Sequence, residues 1–280
     1  MMIWKSIVVL VLLLPSFVFA NSKDTLFDIK KYSGTFWVLE GKAYGTNVGI
    51  IVSGEELLLI DPMPGENALD DLHLLIKKTT NLPISYVTNT HNHEDHSGGN
   101  EYFQNKGAKI LEQETLNHKT HETTALLSTK FGLDVVQVKS HTSLDSLYFH
   151  SESNILFVGD VFDNSWHPTF YAGGIEGFTA TINKILATGD ENTLIIPGHG
   201  APASKKVVET FYKNTIVWLE RISTLLKENM SIEQIMEDQQ INEILQRFNT
   251  EQRKEFIPER AFKRFIERSV SIVASNELKV

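Results

Sequence analysis

Residues 90–99 read Thr-His-Asn-His-Glu-Asp-His-Ser-Gly-Gly, which puts His91, His93, Asp95 and His96 within six positions. No other stretch restricts the possible folds so tightly. So many polar side chains can converge without damaging a core only where a loop leaves a regular element. The preceding run, Ile84–Thr90, has the apolar and β-branched makeup of a strand. His91 and His93, two apart on extended backbone, fall on the same side. Asp95 and His96 lie just beyond, where a turn can aim them at a second point. Imidazole and carboxylate are the donors zinc accepts when no thiolate is available. None is available here, because the chain has no cysteine. That also excludes thiolate nucleophiles and disulfides.

Around this loop, strand and helix patterns alternate. Thr35–Glu40 and Val48–Asp61 are β-rich, the second split by the turn-like Ser53-Gly54-Glu55-Glu56. Glu66–Thr79 carries Leu69, Leu72, Leu75 and Ile76 on one helical face. Lys109–Leu111 predicts a short strand and Glu114–Lys130 a helix. Val135–Val138, Ser146–His150 and Asn154–Val161 predict further strands, then a helix near Thr179–Ala187 and a strand at Thr193–Ile196. Hairpins mixed with βα alternation point to an α/β (α+β) chain with two mixed sheets covered by helices, rather than one doubly wound parallel sheet. From Ala203 onward the pattern is almost entirely helical. The expected boundaries are a leader over 1–20, one domain over 21–228 and a helical extension over 229–280.

The leader is expected from Met1–Lys5 as a short basic start, an unbroken apolar run from Ile7 to Leu14, and Val18-Phe19-Ala20 before Asn21. This is the layout of a secretory signal peptide. No cysteine follows it to take a lipid, so an exported, periplasmic or secreted product without stable membrane insertion is expected. The net charge of −9 and the lack of any basic block argue against a nucleic-acid partner.

Three further candidates each follow a predicted strand. They are His141 in Lys139-Ser140-His141-Thr142, Asp160 in Gly159-Asp160, and His199 in Pro197-Gly198-His199-Gly200. Singly, each has an ordinary reading as a surface histidine, a turn acid or a loop histidine. Together with the His-X-His-X-Asp-His motif, and in this order, they make the chain similar to the metallo-β-lactamase superfamily over most of the sequence after the leader. The resemblance implies an αββα sandwich and two zinc ions per chain. It implies that His91, His93 and His141 hold one ion, that Asp95, His96 and His199 hold the other, and that Asp160 bridges them. A hydroxide shared by the ions would be the nucleophile, with Asp95 placed to orient it. Asp61, at the end of Leu57–Ile60, is either an outer contact that fixes a ligand imidazole or a strand cap. Of the remaining histidines, His73, His118 and His121 are expected on exposed helix faces and His150 at a hairpin turn. His167, in the aromatic run 166–174, is either a pocket wall or local packing.

The superfamily hosts many chemistries, so the resemblance alone names no substrate. A β-lactamase subclass with a cysteine ligand is excluded. The exported subclass sharing this motif usually lacks the aspartate that Asp160 supplies. Asp160 with Pro197–Gly200 looks more like glyoxalase II and its hydrolase relatives. Yet Arg253, Lys254, Arg260, Lys263 and Arg264 do not form the basic pattern those enzymes use for glutathione. Lactonases usually carry a tyrosine where Asp163 stands here, and nuclease members need extra phosphate-binding domains. The expectation is a binuclear zinc hydrolase acting on a small-molecule ester, thioester, lactone or β-lactam. The alternatives are a β-lactamase proper, a mononuclear iron dioxygenase of sulfur compounds, and a metal-bound binding protein without catalysis.

Overall fold

The computed structural model describes residues 26–63, 65, 68–112 and 118–277. The expected leader lies outside them, and so does 113–117, where the helix expected from Glu114 would begin. The central strands are buried on both faces, and the alternation of side-chain direction along them sets the layering. Strands β1 (Phe27–Lys31), β2 (Phe36–Gly41), β3 (Val48–Ser53), β4 (Glu56–Ile60), β5 (Ile84–Thr88) and β6 (Lys109–Ile110) form one sheet in that order. The first four are antiparallel, while β4, β5 and β6 run parallel. Strands β7 (Leu133–Val138), β8 (Asp145–His150), β9 (Ile155–Gly159), β10 (Leu194–Pro197) and β11 (Ala203–Ser204) form a second sheet in the order β11-β10-β9-β8-β7, with only β9 and β10 parallel.

Alternate residues of each strand feed different layers. Leu58 and Ile60 of β4 join Phe36, Val38, Tyr148 and Phe157 between the sheets. Leu57 and Leu59 face the other way, onto Leu72 and Ile76 of α1 (Leu69–Thr80), beyond which follow α2 (Glu94–Ser97) and α3 (Asn100–Asn105). On β9, Ile155 and Phe157 point between the sheets. Leu156 and Val158 point outward, into a layer shared with α5 (Gly174–Ala187) and α6 (Lys205–Lys227). Helix α4 (His118–Phe131) contributes Leu127 and Phe131 to the inter-sheet layer. The result is the expected order of helix, sheet, sheet, helix.

The segment 229–280 contributes α7 (Ile232–Glu237), α8 (Gln239–Gln246) and α9 (Glu259–Glu277). A reciprocal Ser231–Gln234 box caps α7, and the Asp238 carboxylate caps α8. Ile235, Ile244, Phe248 and Phe265 enter the same apolar layer as Trp218 of α6. The Trp218 ring stacks on Phe265 at 4.3 Å, and its Nε1 donates to Ser269 Oγ at 2.9 Å. Truncating Phe265 to alanine would cost about 3–5 kcal/mol. These helices therefore share the core of the sandwich.

Two strands have no counterpart in the expected pattern. In β1 only Phe27 is buried, so its sequence shows no alternation, and β11 is a two-residue edge pairing at the start of the expected helical region. His73 is half-buried beside Phe103 and Tyr102 rather than exposed. His150 ends β8 and is buried against Phe36. The side chains of His118 and His121 lie outside the described residues.

Candidate metal centre

Every candidate ligand leaves the C-terminal end of a strand. His91, His93, Asp95 and His96 follow β5, His141 follows β7, Asp160 follows β9 and His199 follows β10. His91 and His93 precede α2, which supplies the expected turn: His93 is its N-cap and Asp95 and His96 lie within it.

All seven side chains meet in two groups. In the first, His93 Nδ1 lies 3.1 Å from His91 Nε2 and 2.9 Å from His141 Nε2. Asp160 Oδ2 lies 3.8 Å from His91 Nε2 and 3.5 Å from His141 Nε2. In the second, Asp160 Oδ1 lies 2.9 Å from His96 Nε2 and 3.7 Å from His199 Nε2. Asp95 Oδ2 is 3.3 Å from His199 Nε2 and 3.9 Å from His96 Nε2. Within each group all four ligand atoms lie within 4.8 Å of one another. Asp160 belongs to both, one carboxylate oxygen to each. Each group also draws on both sheets.

The spacing suits a shared cation. Four ligands about 2.0–2.1 Å from one zinc stand about 3.3 Å apart in a tetrahedron. His96 Nε2 and Asp160 Oδ1 are buried without a hydrogen bond among the described residues, and a cation held by this group would supply the missing partner. The opposite ring nitrogens are committed elsewhere. His96 Nδ1 donates to Asp61 Oδ2 at 3.0 Å, and His141 Nδ1 to the Thr169 carbonyl at 3.1 Å. His199 Nδ1 donates to the Tyr44 carbonyl at 3.0 Å. His91 Nδ1 lies 3.1 Å from Thr90 Oγ1, which itself donates to Asp61 Oδ2. These contacts select the tautomer whose Nε2 lone pair faces the group. Asp61 is thus both of the things expected of it: it fixes an imidazole, and it ties down the strand end by accepting the Thr90 amide at 2.7 Å.

The facing carboxylates also favour a proton on His96 and His199, which a cation would have to displace. Burial holds the His91 imidazole down to about 3, keeping it neutral. For His96, burial opposes the charge, but Asp160 and Asp61 outweigh it and raise the pKa well above the ordinary value. His199 is raised to about 9, again against burial, by Asp95, Asp160 and Asp163. Asp95 falls to about 2, chiefly through its hydrogen bond with His199. Burial and then Asp160 push Asp163 well above the carboxylate range. Asp163 accepts the His199 backbone amide at 3.0 Å.

Several supporting residues carry no sequence signature of a site. Asn47 clamps the 197–200 loop, donating from Nδ2 to the carbonyls of Pro197 (3.0 Å) and Gly200 (2.8 Å). Asp145 organises the His141 turn by accepting from the amides of Ser140 and Thr142. Gly198 is required by contact: a Cβ there would lie 2.0 Å from Asp160 Oδ1. Of the two readings of His167, packing is the one observed. Its ring is buried and stacks on Phe265 at 4.3 Å. Its neighbour Tyr171 instead reaches His141, at 5.5 Å between rings. A cleft of about 600 Å³ opens over Asp95 and His199, walled by Tyr44, Thr46, Met63 and Glu94. A separate cavity of about 230 Å³ between Phe162, Phe211 and Phe248 shares no residue with the ligand groups.

Comparison with known proteins gives the family. Residues 41–126 match the family model described as the metallo-beta-lactamase superfamily. Metallo-beta-lactamase IND-1 of Chryseobacterium indologenes is 30% identical over 210 residues, covering 67% of this chain and 87% of that protein. The chain belongs to the metallo-β-lactamase superfamily. Another relative, a hydroxyacylglutathione hydrolase of Polaromonas sp., is 30% identical over 57% of this chain and 64% of its own length. The solved metallo-beta-lactamase from Pontibacter korlensis has the same fold, with a TM-score of 0.53 at 18% identity, covering 67% of this chain and 97% of that one. As a superfamily member with these paired His/Asp groups, the chain is a metal-dependent hydrolase. No helix among the described residues is long and apolar enough to cross a membrane.

Proposed function

We propose that this chain is an exported binuclear zinc hydrolase that cleaves a small ester, thioester, lactone or β-lactam. The observation that carries the reading is Asp160, which presents one oxygen to each of two four-donor groups. The seven residues offer only nitrogen and oxygen donors, which suit zinc. When bound, two such ions supply Lewis acidity and a water acidic enough to attack at neutral pH.

The chain's own residues define the rest. Asp95 stands at the open side of the pair, its carboxylate 57% exposed. There a carboxylate can orient an incoming water and accept a proton from it. The cleft above it has the size of a small-molecule site. Ser97, which follows His96 in the motif, spends its hydroxyl on the carbonyls of Asn92 and His93 rather than on a base among the described residues. Export rests on the basic, apolar and Val18-Phe19-Ala20 pattern of residues 1–20.

Metal analysis with a hydrolysis panel of thioesters, lactones and β-lactams on the purified protein tests the reading. Two zinc ions per chain are expected, with turnover abolished by chelation and restored by zinc. Ser97→Ala should retain turnover. One iron per chain would favour a dioxygenase, and two zinc ions without turnover of any panel member a binding protein. Chelator-resistant hydrolysis lost in Ser97→Ala would overturn the metal mechanism.

A further inference from the structure

The segment joining α8 to α9 reaches the loops that carry the second ligand group. Thr250 Oγ1 donates to Asn164 Oδ1 at 2.8 Å, and the Glu251 amide to Ser165 Oγ at 3.1 Å. Glu251 Oε1 accepts the Ala201 amide at 3.0 Å, two residues beyond His199. Arg253 lies at the centre. Its Nη2 donates to the Ser165 carbonyl, and its guanidinium sits 4.2 Å from the Tyr44 ring centroid and 5.4 Å from those of Trp166 and Phe256. Asn249 fixes the Arg253 backbone on both sides, accepting its amide and donating to its carbonyl.

Tyr44 connects this arginine to the metal centre. Its ring lies flat on the His199 imidazole, with centroids 5.1 Å apart and planes 19° from parallel, and its carbonyl accepts from His199 Nδ1. That carbonyl is presented by strained backbone, because Ala43 (φ 52°) and Tyr44 (φ 64°) both occupy the left-handed region. Ser165, on the other side of Arg253, does too (φ 62°). Strain of this kind persists only where the surroundings impose it. A guanidinium over Tyr44 and bonded to Ser165 is in contact with both strained positions.

We propose that residues 249–256 are a latch for the second ligand group, and that Arg253 is a positioning residue acting on His199 through Tyr44. The segment read from sequence as a helical extension is then part of the metal site. The latch acts on one group only. His199 belongs to the set with Asp95, His96 and Asp160, whereas in the other set His91 is held by Thr90 and His141 by Thr169. The inference rests on the binuclear reading above.

The test is zinc titration of the full chain, in competition with a chelator, for the parent and four variants. The parent should take up two ions. Arg253→Ala should keep the first at parental affinity and bind the second about 10–100-fold more weakly, the range for loss of an outer contact. Arg253→Lys should recover part of that, since it keeps the charge but not the planar stack. Tyr44→Phe keeps the ring and loses only a hydroxyl without a hydrogen-bond partner among the described residues, so it should weaken the second ion less than Tyr44→Leu does. Tyr44→Leu should weaken the second ion even if Arg253→Ala fails to fold. In the metal-free protein, the His199 Nδ1 proton should exchange faster in Arg253→Ala than in the parent. A folded Arg253→Ala or Tyr44→Leu that binds both ions as the parent does overturns the latch and leaves the two-ion site standing. A parent that binds a single ion overturns both.

Discussion

Asp61→Asn changes one atom type in a buried carboxylate that accepts three hydrogen bonds. Oδ1 takes the Thr90 amide at 2.7 Å, and Oδ2 takes the Thr90 hydroxyl at 2.6 Å and His96 Nδ1 at 3.0 Å. An asparagine has one accepting oxygen and one NH₂ group, so it cannot serve both sides. With its oxygen toward Thr90 Oγ1 and His96, the NH₂ opposes the Thr90 N–H, and a buried donor loses its partner at a cost of about 1–3 kcal/mol. With its oxygen toward the Thr90 amide, the NH₂ opposes His96 Nδ1–H. The imidazole can then keep a partner only by moving its proton to Nε2, the atom that faces Asp160. The first outcome lowers stability, and the second removes a ligand. Zinc affinity of the group containing His96 should therefore fall about 10–100-fold, or about 1.4–2.7 kcal/mol. The group containing His91 should change less, because His91 Nδ1 meets Thr90 Oγ1 rather than Asp61. Chelator-competition titration reads the two affinities, and denaturant unfolding of the metal-free variant reads the stability. Parental affinities at both groups together with a parental unfolding midpoint would refute the reasoning.

Asp160→Asn should reduce uptake from two ions to one or none and cost more turnover than the roughly 10–100-fold typical of an outer contact; full activity with both ions retained would exclude a bridging role. His167, buried beneath α9 with Arg264 and Arg268 nearby, is held down to about 4 by burial, while the unfolded chain takes up that proton near 6.5. The unfolded state thus binds more protons between those values, and the folded state should lose up to about 3 kcal/mol as pH falls through the window. Metal-free His167→Phe should lack that part of the slope, and identical slopes would refute the assignment. Intact-mass measurement of the exported product should give a chain beginning at Asn21, whereas one still beginning at Met1 and fixed in the membrane would defeat the leader reading.

What could be read in advance divides along physical lines. Leu57–Ile60 and Ile155–Val158 are unbroken apolar runs, which report burial on both faces of a strand, so the covered sheets and their ligand-bearing strand ends were visible. The His91–His96 motif was visible because ligand chemistry restricts side-chain type. Tyr44 was not, because it serves His199 through a backbone carbonyl, which any residue possesses. Asn47 and Asp145 hold loops by bonds to main-chain atoms and look like ordinary turn residues in sequence. Arg253 stood among other basic residues without a pattern. Its partners Tyr44 and Trp166 are far away in the chain, and the packing of α8 and α9 onto α6 carries the segment between them to that place. The packing of His167 was undecidable for the same reason, since the ring it stacks on belongs to α9.

A chain without cysteine has no covalent cross-link, yet both ligand groups take donors from the two sheets at once. An ion seated in either group fastens β5 of one sheet to β7, β9 or β10 of the other, much as a disulfide would, but reversibly and in proportion to free metal. Such an ion binds only where the sandwich is closed, so occupancy at 100 times the dissociation constant adds about 2.7 kcal/mol to the folded state. Wherever metal supply varies, the same ions that would equip the site for hydrolysis would also set how long the folded chain survives without them.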